Sequence, residues 1–243
     1  MNRDHELSGI EVLRFICAFA VLFWHYQHFF FSGAFVEVNA EKIRNALPMY
    51  ALFKPVYLYG FWAVQVFWLI SGFIFYRQYA NAIINRSIGL SDFVIRRFSR
   101  LYPLHFITLL LVALGQAIYF SSHGKTFIYQ NHSGVSFVSQ LLFASNWFSW
   151  QTYSFNGPIW SISVEILVYV VFFGIVRTLG SNMLVALFGL GISWILFHWR
   201  WRFAAINPDV FLCGIYFFAG GAFKGFTNTD MSNGWPDVSV WSQ

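Results

Sequence analysis

Charged residues are scarce in this chain of 243 residues, and that scarcity limits the class of protein it can be. Only 10% of the residues are Asp, Glu, Lys or Arg, whereas 58% are hydrophobic and 22% aromatic. Soluble domains carry about 25% charged residues. The composition therefore excludes an ordinary soluble domain and indicates a polytopic membrane protein, whose apolar surface is solvated by the lipid bilayer.

Acidic residues and cysteines are also few. The chain has 15 Lys and Arg against 10 Asp and Glu, which gives a formal net charge of +5. We attribute this charge to cytoplasmic loops, because Lys and Arg accumulate on that side of a membrane, and since no nucleic-acid motif accompanies it we expect no nucleic-acid partner. Cys17 and Cys213 each lie inside a hydrophobic run, so a disulfide framework is not indicated.

Patterns typical of a removable signal peptide and of a metal site are also missing from the sequence. The N-terminal residues lead into the first hydrophobic run without a small-residue cleavage pattern, so we expect that run to remain in the mature protein. His123 and His132 have no Cys or carboxylate at ligand spacing, which makes a metal site improbable. We also expect no permanently bound cofactor.

Hydrophobic runs dominate what the sequence does contain. Several approach or exceed the length of about 20 residues that crosses a bilayer. They cover residues 10–31, 56–76, 101–120, 159–176, Met183–His198 and 210–223. We interpret the shorter run 137–150 as interfacial. The prediction is an all-α fold, a polytopic transmembrane helical bundle of five spans plus one segment that is doubtful or interfacial, over residues 1–226, followed by a polar tail over 227–243.

Arginine placement predicts the orientation of this bundle. The connector 77–100 holds the densest group of arginines in the chain, namely Arg77, Arg86, Arg96, Arg97 and Arg100. By the positive-inside bias this connector is cytoplasmic. The N-terminus is then cytoplasmic as well, and the mixed segment 32–55 forms the first external loop. We expect Pro103 to lie in the first turn of the third span, where a proline is tolerated.

The first run carries ionisable groups that a simple anchor would lack. Arg14 and His25 are eleven positions apart, which places them within about 20° of one helix face and about 16 Å apart along the axis. Each such group costs roughly 2.5 to 3.5 kcal/mol to insert, so it usually faces a protein interior or a wet cavity. A purely structural role, tying neighbouring spans together, is the alternative. The shared face and the nearby Glu11 favour a functional site.

Four phrases resemble those of the membrane-bound acyltransferase 3 family, in the family's order. They are Glu11-Val-Leu-Arg14 followed by His25, FWLISGFIF around Ser71, RRFSRLYPL around Arg97, and GPIWSISVE ending at Glu165. The chain departs from the family in having Glu11 where Asp is common, which still allows an ion pair with Arg14. Family members have about ten spans, so we expect the C-terminal part of the domain to be absent and a further membrane segment or oligomer to complete it.

The resemblance implies an O-acyltransferase of the bacterial inner (plasma) membrane. Such an enzyme moves an acyl group, in this hypothesis acetyl, from cytoplasmic acyl-CoA, a donor substrate, to a hydroxyl of an envelope or secreted glycan. We expect His25 to be the general base because its ordinary pKa is near neutrality, with Arg14 and Glu165 setting its surroundings. Arg97 and Arg100 would bind donor phosphates. The supporting residues would be Glu11, Ser71 and Ser163.

Two alternatives remain open at this stage. A transporter or channel could use the same intramembrane Arg, His and Glu as a proton or substrate path. The other alternative is an inactive fragment that keeps the family's motifs without its complete bundle. The cytoplasmic arginines discriminate between the first alternative and the enzyme, since a thioester-using enzyme needs a phosphate-binding group there. The alternative for these arginines is that they only set the orientation of the protein in the membrane, because cytoplasmic loops are generally rich in Arg.

Overall fold

The computed structural model describes residues 3–30 and 44–226. In this part of the chain the fold is all-α, as predicted, and its β pairing is limited to an isolated bridge between Phe148 and Ile206. We name the helices α1 (Arg3–Tyr26), α2 (Tyr50–Tyr59), α3 (Ala63–Gln78), α4 (Ala80–Ile84), α5 (Leu90–His123), α6 (Gly134–Leu141), α7 (Trp160–Leu179), α8 (Met183–His198) and α9 (Pro208–Phe226). Short 3₁₀ turns follow α1, α2 and α8, and another precedes α7.

Helix length and composition agree with a membrane bundle. Four helical stretches are long and apolar enough to cross a bilayer, and they cover Gly9–Phe30, Tyr50–Gln78, Leu90–His123 and Gly157–Leu179. The apolar helix α8 is shorter, with 16 residues, and α9 has 19. The polytopic helical bundle expected from the sequence is therefore present.

Two helices begin earlier than the sequence predicted. The second stretch starts at Tyr50 instead of residue 56, so part of the segment expected as an external loop is helical. Residues 32–43 of that segment lie outside the described residues. The third starts at Leu90 instead of residue 101 and continues for 34 residues, with Pro103 in its interior and not in its first turn. Hydropathy marks only the part of a helix that lies in lipid, and α5, at about 51 Å, is longer than the hydrocarbon core of about 30 Å.

The run 137–150 does not form a spanning helix. Its helical part, α6, has eight residues and begins after Ser133, whose side chain accepts a hydrogen bond from the backbone N–H of Ser136. Eight residues extend only about 12 Å along a helix axis, which is too short to cross a bilayer. This geometry agrees with the interfacial interpretation. The tail 227–243 lies outside the described residues.

Helix α9 lies at the centre of the packing, between α3 and α8 and against α7. Its contact with α3 is a close approach of two backbones. A Cβ atom on Gly72 of α3 would overlap the carbonyl of Phe217, and one on Gly220 of α9 would overlap the carbonyl of Leu69. Glycine at both positions therefore permits this crossing, because small residues let membrane helices approach closely.

Aromatic side chains fill the space between α3, α5, α7 and α9. The ring of Phe75 is the centre of the cluster: it stacks on Tyr169 at 4.2 Å and packs edge-on against Phe93 at 5.8 Å and Phe217 at 5.6 Å. Edge-to-face and offset contacts of this kind are the favoured aromatic geometries. These ring contacts join four helices in one core.

We predict that Gly72→Ala destabilises the bundle. The added methyl group would push α3 away from α9, and overpacking of this kind costs about 1 to 3 kcal/mol. Gly174→Ala on α7 is the matched control, because a Cβ there meets nothing within 4 Å and alanine favours a helix over glycine by about 0.5 to 1 kcal/mol. Thermal unfolding followed by a thiol-reactive dye, which reports exposure of the buried Cys17 and Cys213, measures both. Equal melting temperatures for the two variants would contradict the close crossing.

Candidate functional site

The imidazole of His25 is held by the backbone of its own helix. Its Nδ1 lies 2.9 Å from the carbonyl oxygen of Val21, one turn earlier on α1. A carbonyl can only accept a hydrogen bond, so Nδ1 carries the proton and the neutral ring leaves Nε2 with its lone pair. The side chain is half-buried. His25 is therefore held in the tautomer in which Nε2 can accept a proton.

Arg14 lies nearer the start of the same helix and is paired locally. Its Nη1 donates to Oε1 of Glu11 at 3.0 Å, and the two side chains are 37% and 68% exposed, respectively. This is the i, i+3 pair expected from the sequence. Since both groups lie in the first turns of the apolar stretch Gly9–Phe30, their charges remain near the membrane surface, where long polar side chains can reach water.

Within residues 3–30 and 44–226, helix α1 packs against the bundle along one side. It packs on α2, on the following 3₁₀ turn and on α3, and only 6% of its apolar window is buried in the described fold. Gly60 in that turn allows the contact, because a Cβ there would overlap the carbonyl oxygen of Ala20. The face with little burial is available to lipid or to other membrane segments.

Glu165 belongs to a different polar cluster from the one predicted. Its carboxylate bonds to the hydroxyls of Ser71 and Tyr169 and interacts electrostatically with the guanidinium of Arg97. One carboxylate oxygen, Oε1, is buried and accepts no hydrogen bond from the described residues. Among those residues, the contacts of Glu165 include neither His25 nor Arg14, so the expectation that all three share one cluster is not supported by the geometry.

Arg97 points into the protein. Its guanidinium carbon lies 4.1 Å from the ring centre of Phe75 and 4.7 Å from that of Tyr79, which are distances at which a cation is attracted by an aromatic face. It also lines a narrow recess, together with Phe93 and Tyr169. Within the described chain its Nε and Nη2 are buried without a hydrogen-bond acceptor, so this recess offers N–H groups to an anionic oxygen.

Arg100, the second residue predicted to bind the donor, has different surroundings. It follows Arg97 by three positions on α5, so both arginines lie on a helix, as expected, but Arg100 is exposed. The structure therefore separates the two guanidinium groups into an inward and an outward position. Their joint role in phosphate binding stays a prediction.

Ser163 supports the fold of the segment after α6. Its Oγ accepts the backbone N–H of Asn146 at 3.1 Å, and its carbonyl accepts the indole N–H of Trp147 at 2.8 Å. The side chain is fully buried. These two bonds attach residues 146–147 to the first turn of α7, so Ser163 has a positioning role.

Sequence analysis missed His105, a buried histidine on α5. Its Nε2 lies 2.8 Å from the carbonyl of Gln140, to which it donates, and its Nδ1 lies 3.4 Å from the amide nitrogen of Asn156. The ring is 3% exposed. His105 thereby connects α5 to the end of α6 and to the turn that precedes α7. Its position inside the apolar run 101–120 could have indicated a buried polar contact.

Tyr169 is the second residue that the sequence did not single out. It follows Glu165 by four positions, so the two share a face of α7, and its hydroxyl bonds to the carboxylate. The i, i+4 spacing from an intramembrane carboxylate could have indicated it.

These features define a class: a helical membrane protein with a tautomer-fixed histidine on its first helix and a buried arginine–carboxylate cluster in its core. Residues 7–242 match the model of the acyltransferase 3 family, described as an acyltransferase domain. The chain belongs to this family, and it is an integral membrane protein.

A curated relative is similar over much of the chain. The chain is 32% identical to "Acyltransferase MdmB" of Streptomyces mycarofaciens over 170 aligned residues. The aligned region covers 69% of this chain and 38% of the relative. The chain thus spans less than two fifths of that relative's length. No solved structure matches it.

We predict that Arg97 is needed for stability whereas Arg100 is not. Arg97→Ala removes the cation that interacts with the Glu165 carboxylate and that packs on the rings of Phe75 and Tyr79. A desolvated cation–π contact alone is worth about 2 kcal/mol. The matched control, Arg100→Ala, removes an exposed side chain three positions away and should change the unfolding free energy by no more than about 0.5 kcal/mol. Thermal unfolding in nanodiscs measures both variants.

A double variant tests the physical reason for this difference. Adding Glu165→Gln to Arg97→Ala removes the unpaired charge, so part of the lost melting temperature should return. If the double variant is no more stable than Arg97→Ala alone, the pairing is not what stabilises this core.

Proposed function

We propose that the protein is an O-acyltransferase of the bacterial inner membrane. It would move an acyl group, with acetyl as the first choice, from cytoplasmic acyl-CoA to a hydroxyl of an envelope or secreted glycan. The observation that supports this proposal best is His25, whose Nδ1 bond to the Val21 carbonyl leaves Nε2 unprotonated on the first helix of an acyltransferase 3 family member.

The chemistry requires one base and a stabilised negative charge. Nε2 of His25 would take the proton from the acceptor hydroxyl while the hydroxyl oxygen attacks the thioester carbonyl. The resulting tetrahedral intermediate would expel the CoA thiolate, and the imidazolium would return its proton to that sulfur. The products are an ester and CoA, so no oxidant, metal or resident cofactor enters the balance.

The donor would enter at the end of the bundle that carries the arginines of α5. In this proposal the N-terminus and the connector 77–100 face the cytoplasm, because cytoplasmic loops collect Lys and Arg. Exposed Arg100 could bind a CoA phosphate directly through its planar fork. The unpaired N–H groups of Arg97 beside the inner recess suit a second anionic oxygen.

The remaining site residues would act in two groups. Arg14, paired with Glu11, would place positive charge on the helix that carries the base. Glu165 and Ser71 would fix Arg97, and Ser163 would fix the segment over residues 146–147. Glu165 is thus proposed to position the donor side and not to contact His25.

We predict that Arg100→Ala raises the KM for acetyl-CoA with little change in kcat. A charge-assisted hydrogen bond to phosphate is worth roughly 1.5 to 3 kcal/mol, which corresponds to a rise of about 10- to 100-fold. 3′-Dephospho-acetyl-CoA identifies the phosphate: if Arg100 binds the 3′-phosphate, the variant and the parent protein should differ much less with this donor. An unchanged KM with both donors would mean that Arg100 does not bind the donor and contributes only to the orientation of the protein in the membrane.

We predict that His25→Ala lowers acyl transfer by about 10²- to 10⁴-fold, the usual contribution of a positioned base. His25→Gln should not restore activity, because an amide forms hydrogen bonds but cannot accept the proton at neutral pH. The assay incubates purified protein with radiolabelled acetyl-CoA and host glycan fractions. His28→Gln, three positions later, is the control for changes in the same turn.

Three outcomes of this assay are informative. Near-normal turnover by a folded His25→Gln protein would place the base elsewhere. No labelled product from the parent protein, with proton flux in liposomes that depends on His25, would favour the transporter. Loss of activity in His25→Gln alone, with normal thermal stability, would support the proposed base.

A further inference from the structure

The segment between α5 and α7 contains a recess that the catalytic proposal does not use. Together with the open space at its mouth it encloses about 240 Å³, and its walls include Asn131, Ser139, Ser145, Thr152 and Trp150. All of its lining residues are neutral, and most carry a hydroxyl or amide group. The recess thus offers several neutral hydrogen-bonding groups at one place.

One of these groups is buried without a partner. Ser145 is 6% exposed, and its Oγ makes no hydrogen bond to the described residues. Buried side-chain hydroxyls nearly always have a partner, so an exception needs an explanation. A hydroxyl that lines a recess and has no protein partner is suited to receive one from a ligand.

An aromatic wall stands beside the unpartnered hydroxyl. Trp150 is 65% exposed, yet its ring is held parallel to that of Phe148, with centroids 5.8 Å apart and planes inclined by 6°. Asn131 is oriented as well, because its amide nitrogen donates to the hydroxyl of Thr152 at 3.0 Å. An indole with a large exposed surface combines an apolar face with a polar N–H. Such a face suits the C–H side of a sugar ring, while the hydroxyl and amide groups suit its hydroxyls.

The ionisable side chain next to Asn131 in the sequence does not add a charge to the recess. His132, adjacent to Asn131, donates from Nε2 to the carbonyl of Tyr129 at 2.8 Å. Its burial lowers the pKa of His132 below its ordinary value, which keeps the ring neutral at physiological pH. A carboxylate-bearing ligand would find no compensating cation among the residues that line the recess.

The recess lies at the His25 end of the bundle. Phe29 follows His25 by four positions, and its ring lies 6.3 Å from that of Phe127. Phe127 in turn precedes Asn131 by four positions. A molecule in the recess would thus lie at the same end of the bundle as the proposed base.

We propose that this recess binds a neutral sugar unit of the acceptor, with the Ser145 hydroxyl hydrogen-bonded to the sugar and the Trp150 indole stacked on its ring. The proposal rests on the proposed acyltransferase function for the role of that sugar. In this proposal residues 131–154 provide the side chains that bind the acceptor.

Saturation-transfer NMR tests sugar binding without any donor. The full chain is placed in nanodiscs of phosphatidylethanolamine and phosphatidylglycerol, because alkyl glycoside detergents carry a sugar head group of their own. The probes are the methyl glycosides of glucose, galactose, mannose, rhamnose and N-acetylglucosamine, with methyl glucuronide as the charged counterpart. We expect at least one neutral glycoside to receive saturation and the glucuronide to receive much less.

Two variants and two matched controls locate the binding. Ser145→Ala should weaken binding about fivefold, the value of one neutral hydrogen bond, while leaving the melting temperature unchanged or higher, because an unsatisfied hydroxyl is removed. Trp150→Ala should weaken binding about tenfold. The controls are Ser193→Ala, a buried serine bonded to its own helix at Gly189, and Trp201→Ala, with an indole that is similarly exposed at 68%.

The outcomes separate this proposal from the catalytic one. If no neutral glycoside binds, or if Ser145→Ala and Trp150→Ala bind as well as their controls, the recess is not a sugar site, whether or not acetyl transfer occurs. Binding that is weakened in both variants and unchanged in both controls supports the recess as a sugar site. If that result is obtained with a parent protein that never consumes acetyl-CoA, the acyltransferase proposal fails and the sugar site stands.

Discussion

The close crossing of α3 and α9 is the contact on which the rest of the bundle depends. Inside a membrane, lipid tails are as apolar as side chains, so helices associate through packing and hydrogen bonds and not through a hydrophobic driving force. Gly72 and Gly220 let the two backbones touch, which brings the adjacent Ser71 and the aromatic Phe75 into fixed positions. Ser71 then bonds to Glu165 on α7. The position of this polar contact therefore depends on glycine at residues 72 and 220.

The buried cluster around Arg97 illustrates how this core holds charge. Taking a charged group out of water is costly unless other groups compensate for its lost hydration. Here the guanidinium is also covered by the faces of Phe75 and Tyr79, which replace part of its lost hydration. The cluster therefore fixes the orientation of α5 relative to α3 and α7, and it leaves N–H groups of Arg97 for a further anionic group.

The sequence predicted most of the fold because hydrophobic runs report directly on helices in lipid. Met183–His198 was predicted residue for residue. The start of α2 was missed because Lys54 and Pro55 interrupt its apolar run. The start of α5 was missed because its first turns are polar, and hydropathy does not distinguish a polar helix end from a loop. Pro103 reinforced that error, since a proline commonly marks a first turn, but neighbouring polar groups can make an interior proline acceptable in a membrane helix.

The candidate site was predicted in part, for reasons of distance along the chain. The pair Glu11–Arg14 followed from i, i+3 spacing within one helix. The partners of Glu165 did not, because Ser71 and Arg97 come from other helices and a sequence does not state which helices are neighbours. The same limit hid His105, whose partners Gln140 and Asn156 lie 35 and 51 positions away.

The hydrogen bond from His25 to Val21 has a consequence for how this fold can vary. The donor and the acceptor lie four positions apart on one helix, so the tautomer of the imidazole is a local property of a single turn. Surrounding helices can then be exchanged, lengthened or rearranged without resetting the proton on that ring. The first helix thus fixes the protonation of its histidine without help from the other helices. The segments around it can then differ in the acceptor that they bind.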